Sequence, residues 1–364
     1  MNIKYPDYKN SIANLACSIL KYYGIEPPNP TLPQADMLLD RKYQNIVVIL
    51  LDGMGTSSLE KHLPKNGFFH RNLICSYSST FPPTTVAATT AIESGLFPNQ
   101  SAWLGWTGYF EEIDKNIVYF LNTDSETGEK IEINAADTFV PYEKIRDIIA
   151  ASGTDTYYIM PFAEPYPKSY NELCNEIKRL CAQGDRKYIY AYWDEPDKSM
   201  HENGVDGEDI GKLISELENT TEQLADDMND TLLIVTADHG HINVRNKVLT
   251  DYKDITECLL RMPSMEPRAV NFFIKNGMEK QFTEAFNRHF GDEFLLLSKK
   301  ELLEKKLLGF GKDHDRLEKM LGDFLAVGIS DAAICNKSST FKGNHAGLTE
   351  EEMTIPLIAV KKVK

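Results

Sequence analysis

Three unbroken apolar runs limit what this chain can fold into: NIVVILL at 45–51, KYIYAYW at 187–193 and TLLIVTA at 231–237. A run of this length, rich in β-branched and aromatic residues, suits a strand buried on both faces, as in the interior of a parallel sheet. Helix-forming segments lie between and around them, at 8–24, 142–152, 170–182 and 206–227. In the last, Ile210, Leu213, Ile214, Leu217 and Leu224 fall at helical spacing and acidic residues fill the other face. Further strands are expected at 156–160 and 354–360. Alternation of this kind predicts an α/β domain with a mainly parallel central sheet and helices on both faces. From about 251 to 339 the pattern loosens, with helix-like stretches at 278–290 and 313–324 flanking strand-like AVNFFIK at 269–275. That segment reads as a small inserted α+β lobe, expected to cover the site. Residues 1–250 and 340–364 then form the main domain.

A second feature is SSTFPPTTVAATTAIESG at 78–95. Pro82 and Pro83 are poor strand-interior residues, Thr84 or Thr85 is a natural N-cap, and Gly95 is a natural C′ residue. A short helix over 85–94 follows. A hydroxyl at its start meets unpaired N–H groups and the positive end of the helix dipole, which suits a phosphate or an alkoxide attacking one. Taken alone, the two threonines are as well explained as simple caps.

The three apolar runs each end in acidic or histidine-containing loops. The first closes on Asp52, the second on Asp194-Glu195-Pro196-Asp197-Lys198-Ser199-Met200-His201, and the third on Asp238-His239-Gly240-His241. A fourth loop, Lys342-Gly343-Asn344-His345, precedes the last strand. All four can lie along the carboxyl edge of one sheet, where α/β proteins place functional groups. Carboxylate and imidazole together suit zinc, or less selectively manganese or iron. Asp197 and His201 are four apart, so one helical turn presents both to a single ion. Each pair alone is more simply a turn or a solvated helix face. Their coincidence in this order argues for a site.

Charge and cysteines narrow the partners. A formal charge of -15 argues against a nucleic-acid polymer or an anionic membrane. An anionic substrate then needs local cations, and bound metals supply them. The first 25 residues do not read as a signal peptide, and no run reaches the roughly 18 apolar residues of a membrane span. The six scattered cysteines lack C-x-x-C spacing and read as reduced thiols, so a cytoplasmic protein acting on a small molecule is expected.

In order and context these motifs resemble the alkaline phosphatase superfamily, and within it the nucleotide pyrophosphatase/phosphodiesterase branch. LLDGMG is similar to the segment of the first metal-binding Asp, WDEPDKSMH to the acidic-Pro-Asp-x-x-x-His segment, TADHGH to the Asp-His-Gly signature and GNHAG to the final ligand His. In that family the nucleophilic Thr lies ten residues before the Gly of a Thr-Gly-Leu-x-Pro segment. Here Ser94-Gly95-Leu96-Phe97-Pro98 places it at Thr85. A second register matches Thr80-Phe81-Pro82 to the family's Thr-Phe-Pro but requires five extra residues in the helix, so Thr85 is preferred. The resemblance implies two divalent metal ions, zinc first, with manganese or iron as substitutes. One would bind Asp197, His201 and His345, and the other Asp52, Asp238, His239 and the Thr85 oxygen. It implies a phosphoester hydrolase of the phosphodiesterase/nucleotide pyrophosphatase type acting through a threonine nucleophile. A phosphomonoesterase or phosphotransferase of the same superfamily, or a non-catalytic metal-binding protein, is the alternative. His241 reads as a supporting or structural residue. The chain departs from the family where an Asn binds the substrate phosphate, about eleven residues after the Gly: Trp106 stands there. Sulfatases are disfavoured because no Cys or Ser followed by x-Pro-x-Arg occurs at the nucleophile. Cofactor-independent phosphoglycerate mutases are disfavoured by the Thr and the modest insertion.

Overall fold

A computed structural model describes residues 2–363. The three apolar runs sit side by side in a six-stranded sheet. Its order is Leu73–Ser78, Thr354–Lys362, Thr231–Thr236, Asn45–Leu51, Lys187–Trp193, Asp155–Ile159. Asn45–Leu51 runs parallel to both neighbours, pairing Asn45 with Lys187 and with Thr231, and Asp155–Ile159 adds in parallel beyond Lys187–Trp193. Thr354–Lys362 is antiparallel to both of its partners. The sheet is therefore mainly parallel with an antiparallel side. Every residue of Asn45–Leu51 is buried, as its lack of polar interruption requires. Because the central strands share one direction, Asp52, Asp194 and Asp238 leave the sheet along one edge.

Helices cover the sheet. Ile12–Tyr22 packs against Thr85–Ser94, and Tyr170–Cys181 against Glu208–Asp226. No helix among the described residues is long and apolar enough to cross a membrane.

A second, seven-stranded sheet has the order Phe294–Ser298, Phe324–Gly328, Ala269–Phe272, Ser264–Glu266, Thr107–Phe110, Lys115–Val118, Thr123–Asp124, and its pairings are antiparallel. The strands of 251–339 thus share a sheet with 107–124. The link is the Met265–Thr107 pairing, a non-local contact that no periodicity announces. Within this segment the expected helix over 313–324 shrinks to Leu317–Met320, and Phe324–Gly328 is a strand. The apolar FLAVG finds two antiparallel partners, and that pairing outweighs a short helix ending near Gly322. The helix Glu279–Phe290 covers the sheet through Phe282, Phe286 and Phe290, all buried against Phe272 and Phe294.

One buried ion pair joins the two parts. Arg268 Nε and Nη2 donate to the two Glu352 oxygens at 2.7 and 2.8 Å, with both side chains fully buried. The same carboxylate accepts from the Gly347 N–H and the Thr349 hydroxyl, both at 2.7 Å, and the Glu352 carbonyl accepts from the Gly240 N–H at 2.9 Å. Glu352 therefore steadies the loops that carry His345 and His239. Removing one member of such a pair strands the other charge. Glu352→Ala is expected to cost about 3–5 kcal/mol of stability, read from urea unfolding. A loss below about 1 kcal/mol would show that the pair carries little of the junction.

Candidate active site

The strand-end loops and the Thr85–Ser94 helix converge on one cluster. The helix has Thr84 as N-cap in extended conformation and ends at Gly95 with φ +75°, so Thr85 occupies its first turn. The Thr85 hydroxyl lies 3.2 Å from His239 Nε2 and 3.4 Å from the nearer Asp52 oxygen. His239 Nε2 is in turn 3.3 Å from Asp52. Asp197 opens the helix Asp197–Asn203, and His201 follows one turn later at 3.4 Å. His345 Nε2 is 3.8 Å from Asp197, and the His345 ring stacks on His239 with centroids 3.8 Å apart.

Two groups of donors have ligand atoms close enough to share an ion. One comprises Asp197, His201, His241 and His345, the other Asp52, Asp197 and His239, with each group's donor atoms within 4.8 Å of one another. His241, read from sequence as a supporting residue, comes directly into the first group: its Nε2 is 2.6 Å from Asp197. Asp238 adjoins the second group, one of its oxygens lying 3.5 Å from His239 Nε2. Its other oxygen accepts from the Gly53 and His239 N–H groups at 3.0 and 2.9 Å, while the one facing His239 Nε2 is buried and makes no hydrogen bond among the described residues.

Local backbone geometry explains the glycines. Gly53 has φ +71°, and a Cβ there would sit 2.9 Å from Asp197 Cα, so only glycine lets the two loops close. At Gly240 a Cβ would fall 1.9 Å from the Glu351 carbonyl oxygen.

The cluster fits divalent cations. His201, His239 and His345 each place Nδ1 against a backbone carbonyl, of Gly343 at 2.9 Å, Gly240 at 3.1 Å and Pro83 at 3.1 Å. That contact makes Nδ1 the protonated nitrogen and leaves the Nε2 lone pair facing the cluster, the arrangement of a ligating histidine. Electrostatics point the same way. Burial, then the Asp197 charge, raises Asp52 well above the usual carboxylate range; burial, then Asp52, does so for Asp238. Burial also works against the Asp197 carboxylate, but His201, His241 and His345 hold it below its ordinary value. Burial keeps His345 well below the ordinary imidazole value and lowers His241 to about 4. The lowered imidazoles of His241 and His345 beside crowded, buried carboxylates form a donor set that a cation completes.

Three neighbours were not foreseen from the sequence. Tyr192, at the end of a central strand, donates its hydroxyl to Asp52. Glu266, buried at the end of a central strand of the second sheet, accepts from the Thr84 hydroxyl at 2.5 Å and the Trp106 N–H at 2.6 Å. Desolvation pushes its carboxyl up to about 7. Trp106 thus holds Glu266 through its backbone N–H and is itself one of the residues lining the cavity beside the site, its indole edge-on to Phe120 at 6.0 Å. The third is Glu93, two turns along the helix from Thr85.

Beside the cluster opens a cavity of about 1010 Å³. Asp52, Thr85, Asp197 and His201 line its reacting end, and its side walls come from 103–144 and 158–162. No residue of 251–339 is among those lining it, so the expected cover is supplied by the chain between Trp103 and Lys144. The segment 251–339 instead reaches the site from behind, through Glu266 on Thr84.

Against known proteins, the profile of the family Phosphodiest, type I phosphodiesterase / nucleotide pyrophosphatase, matches residues 46–289. No curated protein matches by sequence. Among solved structures, murine ectonucleotide pyrophosphatase/phosphodiesterase 5, an inactive threonine-to-alanine variant in complex with AMP, aligns with a TM-score of 0.67 at 19% identity. That alignment covers 89% of this chain and 91% of the other. The human protein of the same name aligns with a TM-score of 0.67 at 17% identity over 88% and 90%. Phosphonoacetate hydrolase from Sinorhizobium meliloti, in complex with phosphonoformate, aligns with a TM-score of 0.64 at 14% identity over 87% and 90%.

Proposed function

This chain belongs to the type I phosphodiesterase / nucleotide pyrophosphatase family and is a metal-dependent phosphoester hydrolase, and from that premise we propose that it cleaves phosphodiesters through Thr85. The observation that carries this reading is the position of the Thr85 hydroxyl. It stands at the start of its helix, 3.2 Å from His239 and 3.4 Å from Asp52.

Asp197, His201 and His345, joined by His241, would hold one divalent cation, and Asp52 and His239, with Asp238 and the Thr85 oxygen beside His239, the other, zinc being the first expectation for such a donor set. Divalent cations held there would supply Lewis acidity. The protein's own part is positional. Backbone carbonyls on the three Nδ1 atoms hold each imidazole in one orientation. The Thr85 hydroxyl gives up its proton to solvent as its oxygen attacks phosphorus, and one ester oxygen departs and takes up a proton; Thr85 is left esterified to a phosphate that keeps the other substituent, and water then cleaves that bond, restoring the hydroxyl and releasing the monoester. The first-turn N–H groups of the helix face the same oxygens and favour the negative charge that develops on them. A neighbour made inactive by a threonine-to-alanine change and binding AMP supports this assignment.

The cavity, about 1010 Å³, has room for a substituent retained on phosphorus as well as a leaving group, which fits a diester. Comparing bis-p-nitrophenyl phosphate, p-nitrophenyl phosphate, a nucleotide sugar and p-nitrophenyl sulfate tests the reading. The diester should be turned over faster than the monoester, and the sulfate should be the poorest. A monoester preference, or sulfate turnover equal to that of the diester, would overturn it.

A further inference from the structure

The helix that presents Thr85 starts without the cap its sequence would supply. Thr84 holds the cap position in extended backbone, from which a threonine oxygen ordinarily accepts from an N–H of the first turn. Here its side chain makes no such bond, so it caps the helix by position only. The hydroxyl is turned instead to Glu266 Oε1, to which it donates at 2.5 Å. The N–H groups of Thr85, Val86 and Ala87, the orphan donors that every helix leaves at its start, meet no acceptor among the described residues. These are the groups beside the attacking oxygen.

Glu266 is held firmly enough to direct that hydroxyl. Its side chain is buried, and the same Oε1 accepts from the Trp106 N–H at 2.6 Å. A Cβ at Gly105 would come within 3.1 Å of Glu266 Cγ and 3.2 Å of Met265 Cα, so a glycine lets this backbone close on the glutamate. Arg268, in the same hairpin, is fixed by its buried pair with Glu352. Thr84 is itself buried, and a buried O–H needs an acceptor. The first turn offers only donors, whereas Glu266 offers an oxygen, and this decides which way the hydroxyl turns.

We propose that Glu266 is a positioning residue: it holds the Thr84 hydroxyl away from the first turn, so that the N–H groups beside Thr85 stay open for the phosphoryl oxygens. This rests on phosphodiester cleavage at Thr85, and it gives the segment 251–339 a part in the reaction through the helix rather than through the cavity. Released from Glu266, the Thr84 oxygen would cap its own helix. The helix would gain a bond, and the phosphoryl group would have to displace the hydroxyl before it could use those donors. Glu266 acts through Thr84 alone; it transfers no proton and forms no bond to phosphorus.

The test is a double-variant cycle on bis-p-nitrophenyl phosphate. Glu266→Leu, which fills the space without an acceptor, should lower kcat/KM about tenfold or more, chiefly through kcat, and Glu266→Gln, which keeps an acceptor oxygen, should lose less. Thr84→Val deletes the hydroxyl that would form the cap. Added to Glu266→Leu, it should raise turnover about fivefold or more above that of Glu266→Leu alone. A merely structural Glu266 gives a double variant no better than Glu266→Leu, and that result would overturn the proposal. Amide hydrogen exchange at Val86 and Ala87, read without substrate, should slow in Glu266→Leu and return to the native rate in the double variant; unchanged exchange in Glu266→Leu would also overturn it. If Glu266→Leu does not fold, Thr84→Val in the native background carries the test. A loss of less than about fivefold supports open N–H groups, and a larger one shows that the hydroxyl itself serves the reaction and rejects the proposal. If native protein cleaves no diester, the reading of Thr85 fails instead. The exchange series then decides alone: slower exchange in Glu266→Leu supports the role of Glu266 and equal exchange rejects it.

Discussion

Thr85→Ala is expected to lower kcat by at least about 10³-fold, the scale on which removing an activated nucleophile acts. The change deletes one hydroxyl and leaves the surrounding carboxylates and imidazoles in place, because Thr84, not Thr85, caps the helix. Metal content should therefore stay near that of the native protein, which separates a lost nucleophile from a lost site. Thr85→Ser should keep part of the activity, since a hydroxyl remains at the same first-turn position. Thr80→Ala should be much milder: Thr80 is buried, and its hydroxyl bonds to the Pro82 carbonyl at 3.3 Å, away from the Asp52–His239 cluster that Thr85 faces. Equal losses at Thr80 and Thr85 would mean that the stretch matters for folding rather than for chemistry.

Removing the cations should have an effect of similar size. The purified protein is expected to hold two divalent transition metals per chain, and their removal with a chelator should reduce turnover at least about a hundredfold. The thermal midpoint should fall as well. Without cations, the carboxylates of Asp52, Asp197 and Asp238 crowd a buried space where burial opposes the charge of each. A ligand that binds only the folded state stabilises it by mass action, so restoring zinc should restore both readouts together. Fewer than one metal per chain after zinc is supplied, with turnover intact, would contradict the ligand assignment.

Much of the scaffold could be read from the sequence because it rests on short-range patterns. The runs at 45–51, 187–193 and 231–237 are apolar for the reason that each is flanked by strands and covered on both faces, and such a run has few other places to go. The Asp197–His201 spacing likewise needs only one helical turn. The rest depends on contacts distant in sequence. Nothing near Thr107 indicates that it pairs with Met265, and nothing near Glu266 indicates that its carboxylate meets Thr84. His241 could not be placed from its spacing, since whether it meets Asp197 depends on how closely Gly53 and Gly343 let three loops approach. One signal was available and unused. Tyrosine at every second position of 187–193 marks a single face of a strand, and that face carries one hydroxyl to Asp52 and a second, unpartnered, beside Glu93.

The account turns on which oxygen attacks phosphorus. Rapid acid quench during turnover of a phosphorus-labelled diester, followed by peptide mass mapping, reads this directly. The account predicts labelled phosphorus on Thr85, still carrying the substituent retained from the diester, and no labelled peptide in Thr85→Ala. Phosphate on Thr80 or Thr84, or no covalent adduct under any quench condition, would contradict it.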